Sequence, residues 1–258
     1  MGVLEQFRLE GRRALVTGAP RGIGKSIALA LAECGANVVI NYASSRELGE
    51  QAAAEAAAFG VSAYAIQAEL GKPGAARALY EQSVEALGGI DILVHNASVQ
   101  YRTGWADIPS DEFDHQINVN LKAMFELTQM AVPSMCAQGW GRVLMIGSVQ
   151  QARPSAQMMV YAGTKHAQLN MARNLALQVA KYGVTVNNLA PGAIDTFRNA
   201  ETLADPANVA RLNERVPLGR VGQPDECAAA ALLLCSDAGS YITGADLFVD
   251  GGLGLGII

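Results

Sequence analysis

The sequence predicts an α/β fold, a doubly wound parallel sheet of seven strands, and three observations predict it. Short apolar runs alternate with longer helix-forming stretches along the whole chain. A glycine-rich turn, Thr17-Gly18-Ala19-Pro20-Arg21-Gly22-Ile23-Gly24, joins the first such run to the first such stretch. Half of the 258 residues are hydrophobic and 17% are charged, a balance that suits a sheet buried on both faces.

The first strand is expected near 13–17, where Ala14-Leu15-Val16 is uninterrupted and apolar. The first helix follows at 22–34, carried by the Ala- and Leu-rich stretch from Lys25 to Ala32. Further strands are predicted near 37–42, 62–67, 90–95, 141–147, 184–189 and 246–250, and further helices near 46–59, 73–88, 111–138, 160–182 and 224–236. Right-handed crossovers then give the strand order 3-2-1-4-5-6-7, with the ligand crevice at the carboxyl ends of the strands. Residues 193–222 read as a substrate lid made of loop. No repeat and no Pro-, Gly- or Ser-rich linker divides the chain, so residues 1–258 form one expected domain.

Bulk properties exclude several classes. A net charge of −5 argues against a nucleic-acid partner. No apolar run approaches the ~20 residues of a membrane span, and the segment Met1–Arg8 has no signal-peptide apolar core. Cys34, Cys136, Cys227 and Cys235 have no metal or redox spacing, which points to reduced thiols in the cytoplasm. His95, His115 and His166 form no ligand pattern, so no metal is implied.

The chemistry centres on Tyr161-Ala162-Gly163-Thr164-Lys165. Four-residue spacing puts the phenol and the ammonium on one helix face, one turn apart. A free tyrosine titrates near ~10 and is a poor acid–base group at neutral pH, and a nearby ammonium favours its phenolate. Ser148 and Asn120 precede this pair. A phenol, an ammonium and a hydroxyl brought together can give a proton to a carbonyl or take one from an alcohol. At the other end, strand, glycine turn and helix are the setting in which a pyrophosphate sits on a helix N-terminus.

Together these residues resemble the short-chain dehydrogenase/reductase family, in its single-domain branch, over nearly the whole chain. Thr17–Gly24 resembles the family's cofactor glycine motif, with G-x-x-x-G-x-G spacing. Asp91–Ser98 resembles its fourth-strand motif, with His95 and Ser98 in place of the usual Asn and Gly and with Asn96 and Ala97 kept. Asn120, Ser148, Tyr161 and Lys165 fall at the order and spacing of its catalytic tetrad. Asn120 is preferred over Asn118 because it heads the family-like Asn-Leu-Lys-Ala-Met-Phe segment. Val186–Gly192 resembles the approach to the nicotinamide site, and Gly244–Gly252 the last strand.

The resemblance implies a Rossmann-type single domain that interconverts a ketone and a secondary alcohol. Tyr161 would be the acid/base and Ser148 would bond the carbonyl oxygen. Lys165 would lower the Tyr161 pKa and bind the nicotinamide ribose, and Asn120 would hold a water leading from Lys165 to solvent. It implies cofactor contacts at Gly18, Arg21, Gly22, Ile23, Gly24, Tyr42, Ser44, Glu69, Leu70, Asn96, Ala97, Pro191, Gly192, Ile194 and Thr196, besides Tyr161 and Lys165. Glu69 stands where the family more often has Asp. NADP(H) is the preferred cofactor, with NAD(H) as the alternative. The second strand ends at Asn41-Tyr42-Ala43-Ser44 without the acid that would hold a ribose 2′-hydroxyl, while Arg21, Ser44, Ser45 and Arg46 can meet a 2′-phosphate.

The expected substrate is a small carbonyl or alcohol: a 3-oxoacyl thioester, a sugar or polyol, or an aryl ketone. Gln100, Trp105, Gln150, Met158, Met159, Phe197 and Leu203 are the candidate pocket residues. The family relationship implies a homotetramer, with the apolar tail Leu253–Ile258 at a subunit interface. Two other classes stay open: a sugar-nucleotide epimerase or dehydratase, whose chains usually carry an extra C-terminal substrate domain, and a non-catalytic NADP-binding sensor.

Overall fold

The computed structural model describes residues 2–255. Strands β1 (Arg13–Val16), β2 (Asn37–Tyr42), β3 (Ala63–Gln67), β4 (Ile92–His95), β5 (Gly141–Ile146), β6 (Val184–Pro191) and β7 (Asp246–Val249) make one sheet in the order 3-2-1-4-5-6-7. Every pairing is parallel. The expected order and strand positions are those observed.

Alternation along the central strands sorts the core into two layers. Ala14, Val16, Val38, Ile40, Ile92 and Val94 face one side. There they meet helices α1 (Gly22–Glu33), α2 (Arg46–Ala57) and α9 (Pro224–Cys235). Leu15, Val39, Leu93, Val143 and Met145 face the other side, against α3 (Ala75–Leu87), α5 (Ala123–Gln138) and α6 (Met159–Val179). The buried stretches Ala14–Val16, Val38–Ile40 and Ile92–Val94 are unbroken and apolar, which is why they were legible as runs.

Two segments differ from expectation. The helix predicted at 111–138 is continuous but widened: α4 (Ser110–Ile117) runs into α5 through a π turn over Asn118–Lys122. Residues 193–222 are not loop. They contain a short turn at Phe197–Asn199 and helices α7 (Ala200–Leu203) and α8 (Pro206–Arg215). Asp205 caps α8 by accepting from Ala207 N at 2.9 Å, and Pro206 supplies its fixed φ at the first position. The segment's two ends are drawn together where Gly222 N donates to Ala193 O (2.9 Å) and Asp195 N to Gly222 O (2.8 Å). Leu253 is buried against Val149 and Val216 within the chain, whereas Leu255 is exposed. The rest of the tail, 256–258, lies outside the described residues.

Candidate active site

One cleft of about 1060 Å³ runs across the carboxyl ends of the strands. That exceeds the ~300–1,000 Å³ typical of a single-ligand pocket and leaves room for a dinucleotide beside a second molecule.

Its first wall is the glycine turn. Gly18 and Gly22 both sit at φ +60°, a region that side chains with a Cβ rarely adopt. A Cβ on Gly18 would lie 2.8 Å from Ala97 Cα. Thr17 fastens the turn to the end of β4: its Oγ1 accepts from Asn96 N and Ala97 N, both at 3.0 Å. Asn96 reciprocates by donating from Nδ2 to Thr17 O and Gly18 O at 2.9 and 2.8 Å. Arg21 caps α1 without a side-chain bond, and no acid occupies the first turn. The first N–H groups of α1 are thus left for an anion in the cleft. This fits a pyrophosphate.

Asn41, near the end of β2, was missed as a site residue. It is 2% exposed and accepts from Gly18 N (3.1 Å), while its Nδ2 faces Tyr42 O, Ile66 O and Ala68 O at 3.1–3.3 Å. An amide inside an otherwise apolar strand was the available signal. Beyond it, Ala43, Ser44 and Ser45 line the cleft with Arg21, and none of residues 41–45 is acidic. That neutral, hydroxyl-bearing corner beside a guanidinium fits a 2′-phosphate.

Tyr42 is a correction. As the neighbour of Asn41 it points to the opposite face, and its ring packs under α2: a Cβ on Gly49 would meet Tyr42 Cδ1 at 2.5 Å. It does not line the cleft. Arg46 pairs instead with Glu50 at 2.7 Å. Glu69 and Leu70 line the cleft, but the Glu69 carboxylate is turned onto Lys72 Nζ at 2.7 Å. Ile23, Gly24, Asn96, Ala97, Pro191, Gly192, Ile194 and Thr196 all line the cleft.

Ser148, Tyr161 and Lys165 share the opposite wall. Ser148 follows β5 by two residues and opens the turn Val149–Gln151. Its Oγ accepts from Gln150 N at 3.2 Å, and its own N donates to Gln151 Oε1 at 3.3 Å. Gln151 is held in turn by Asp246 at 2.8 Å. Among the described residues the Ser148 hydroxyl hydrogen has no acceptor, so it is free for a carbonyl oxygen. Tyr161 is buried in the first turn of α6, and Lys165 Nζ lies 5.6 Å from its ring while donating to Ile146 O at 2.7 Å. Burial, and secondarily the Arg198 guanidinium, push the Lys165 pKa down to about 7.

Asn120 lies between α4 and α5. It is fully buried in the π turn and does not line the cleft. Its Oδ1 accepts from Val99 N (2.8 Å), its Nδ2 donates to Val99 O and Thr164 Oγ1 (3.0 and 3.1 Å), and its carbonyl accepts from Gln168 (2.7 Å). The Asn120 carbonyl, with one bond, keeps a second lone pair. The amide ties the loop after β4 to α6. The two departures in the fourth-strand motif also find places. His95 is buried against Thr128 Oγ1 at 3.0 Å, and burial pushes its pKa down to about 3, so it stays neutral. Ser98 receives Arg198 Nη2 on both its carbonyl (2.7 Å) and its hydroxyl (3.0 Å).

Of the candidate pocket residues, Gln100, Gln150, Met158, Phe197 and Leu203 line the cleft. Trp105 and Met159 do not; both are exposed elsewhere. Phe197 is stacked under the Arg21 guanidinium at 3.6 Å. Among the described residues no cluster of His, Cys, Asp or Glu could hold a metal, and no helix is long and apolar enough to cross a membrane.

A glycine cradle at the first strand–helix junction, facing a buried Tyr–Lys pair and a serine, defines the class: a nicotinamide-dependent oxidoreductase on a Rossmann-type sheet. Residues 18–254 match the family model described as Enoyl-(Acyl carrier protein) reductase. The chain belongs to the short-chain dehydrogenase/reductase family. It is 34% identical, over 95% of its length and 97% of the relative's, to an L-rhamnose 1-dehydrogenase (NAD(P)(+)) of a Sphingomonas strain. Among solved structures it is similar to a 3-oxoacyl (acyl-carrier-protein) reductase of Agrobacterium tumefaciens with NADP bound (TM-score 0.92, 38% identity, 97% of each chain). It is equally close in fold to a gluconate 5-dehydrogenase of Burkholderia cenocepacia in complex with NADP and tartrate (TM-score 0.92, 36% identity, 99% and 100% covered).

Proposed function

We propose that this enzyme interconverts a ketone and a secondary alcohol with NADP(H) as the preferred cofactor. The observation that carries the reading is the shared cleft: the glycine turn on one wall, Ser148, Tyr161 and Lys165 on the other. The nicotinamide, when bound, supplies or accepts hydride at the carbinol carbon. The remaining work belongs to side chains. In reduction Tyr161 Oη gives its proton to the carbonyl oxygen, and in oxidation it takes the hydroxyl proton. Ser148 Oγ donates to the same oxygen and fixes its position. Lys165, once charged, favours the phenolate. Asn120 is a positioning residue, holding the loop that carries Ser98 and Val99 against α6.

The NADP(H) preference rests on the missing acid after β2, on Arg21, Ser44 and Ser45 at that corner, and on the NADP found in similar structures. NAD(H) remains the alternative cofactor. Residues 193–222 act as the substrate lid of a one-domain protein spanning 1–258. The cysteines are free thiols, which suits the cytoplasm. Exposed Phe125 on α5 and Leu177 on α6, and exposed Phe248 on the edge strand β7, support two subunit interfaces and hence a homotetramer. Light scattering at the 27.0 kDa of one chain would overturn that assembly.

The test is the initial rate of NADPH consumption, and separately of NADH, over ketones, 3-oxo esters and oxidised sugars. Turnover with NADPH that disappears in Tyr161→Phe supports the reading. Cofactor binding with no turnover across the panel favours a sensor instead.

A further inference from the structure

The charge in the cleft is unevenly distributed. The protein carries 24 acidic and 19 basic residues. Yet four arginines line the substrate end of the cleft: Arg102 after β4, Arg153 after β5, and Arg198 and Arg215 from the lid, the latter at the end of α8. Among the described residues the one acid lining the cleft, Glu69, lies at the β3 end and is bound to Lys72. Among the described residues none of the four arginines has a carboxylate within 4.0 Å.

Two of the four are fixed in place. Arg198 is anchored through Nη2 on Ser98, and its guanidinium carbon lies 6.0 Å from the Tyr161 ring centroid. Arg153 is anchored through Nη1 on Leu253 O at 2.6 Å, beside Gln150 and the turn that begins at Ser148. Each keeps further N–H groups for a ligand, already oriented by a backbone carbonyl. Arg153 lies beside the Ser148 turn and not at the glycine turn, and Arg198, although next to the Phe197 on which Arg21 stacks, is turned to Ser98 and Tyr161. A low-dielectric crevice lined by one sign of charge concentrates ligands of the other.

We infer that the substrate is a hydroxy- or oxo-carboxylate whose carboxylate is bound by Arg198 and Arg153 a few bonds from the carbon that Tyr161 serves. The inference rests on the ketone–alcohol reading above and names its substrate class. Two oxygens in one plane match the open edges of two guanidinium groups. Arg102 and Arg215, both exposed, add field at the mouth. The lid contributes a ligand as well as a cover, because Arg198 belongs to it and Ser98 holds it across the cleft.

The test is calorimetric titration of NADP⁺-loaded protein with D-gluconate and 3-hydroxybutyrate, against their neutral counterparts D-sorbitol and methyl 3-hydroxybutyrate, with glycerol 3-phosphate as a phosphate arm. At least one acid should bind at least about tenfold tighter than its counterpart, and should lose about tenfold or more in Arg198→Gln and in Arg153→Gln. Arg198→Lys should recover part of that loss, and added salt should weaken the acid alone. Arg77→Gln on α3, outside the cleft, controls for net charge.

Equal binding of acid and neutral partner, no binding of either acid, or indifference to both arginine variants would overturn the inference. Tighter binding of glycerol 3-phosphate than of any acid would overturn the assignment to a carboxylate. The parallel ketone panel separates the two readings. Tyr161-dependent turnover of neutral ketones without preference for acids sinks this inference and leaves the oxidoreductase. Arginine-dependent acid binding with no turnover of acids or ketones leaves a carboxylate site but overturns both the oxidoreductase reading and the substrate assignment that rests on it.

Discussion

Gly24→Ala tests how tightly the phosphate turn is built. Gly24 lies in the first turn of α1, buried. A methyl group there would stand 2.4 Å from Asn96 Nδ2, 2.9 Å from Gly18 O and 3.0 Å from Ala19 Cα. Asn96 can retreat only by releasing its bonds to Thr17 O and Gly18 O, at about 1 kcal/mol each. The two backbone contacts cannot be relieved by a rotamer change and add overpacking of ~1–3 kcal/mol. Alanine's better helix propensity returns ~1 kcal/mol at most. The balance is a loss of ~2–4 kcal/mol, which for a chain of this size lowers Tm by roughly 5–15 °C. NADP⁺ affinity should fall with it, because the displaced turn carries the N–H groups that face the cofactor. Differential scanning calorimetry with and without NADP⁺ measures both. A Tm that rises or stays level would refute the reasoning, since it would mean that propensity outweighs the contacts and the turn yields freely.

Three further outcomes follow from buried groups. Lys165 titrates near 7 in the folded protein against an ordinary 10.5. The unfolded chain therefore binds this proton first as pH falls, and the apoprotein should gain stability from pH 7 toward 10.5, a slope that Lys165→Met flattens in thermal melts at stepped pH. His95, depressed from 6.5 to about 3, destabilises the fold as pH drops through that window. His95→Asn should shift the acid-unfolding midpoint downward, and an unchanged midpoint would show that other groups dominate. Asn120→Ala strands the Val99 N–H and Thr164, costing about 1–3 kcal/mol. Its Tm should fall by several degrees while NADP⁺ affinity, measured by fluorescence titration, changes little.

What the sequence disclosed follows the range of the forces involved. The strands were legible because burial on both faces forces continuous apolar runs, and their order follows from crossover handedness. The Tyr161–Lys165 spacing and the glycine turn are local, so each carried its own geometry. Tyr42 was misread because facing alternates residue by residue along a strand. The missing acid after β2 drew attention to the whole strand end, but only Asn41 and the residues past Tyr42 face the cofactor side. Asn120 was found, but its bonds run to Val99 and Thr164, 21 and 44 residues away, and no spacing rule reports such partners.

The lid shows the same limit from the other side. Its helices are short, and α8 is polar, so 193–222 has the composition of loop. Arg198 looks like any surface charge in the sequence, and Ser98 like a lapse from a motif. Only the fold brings them together, across a separation of 100 residues, and sets the pair beside Tyr161. A serine hydroxyl where glycine is usual gives the guanidinium a second acceptor that glycine could not provide. On that argument the departure at Ser98 belongs to substrate selection, and Ser98→Gly should raise KM for the preferred substrate more than it lowers kcat. A larger change in kcat would instead tie Ser98 to the reacting atoms and separate it from Arg198.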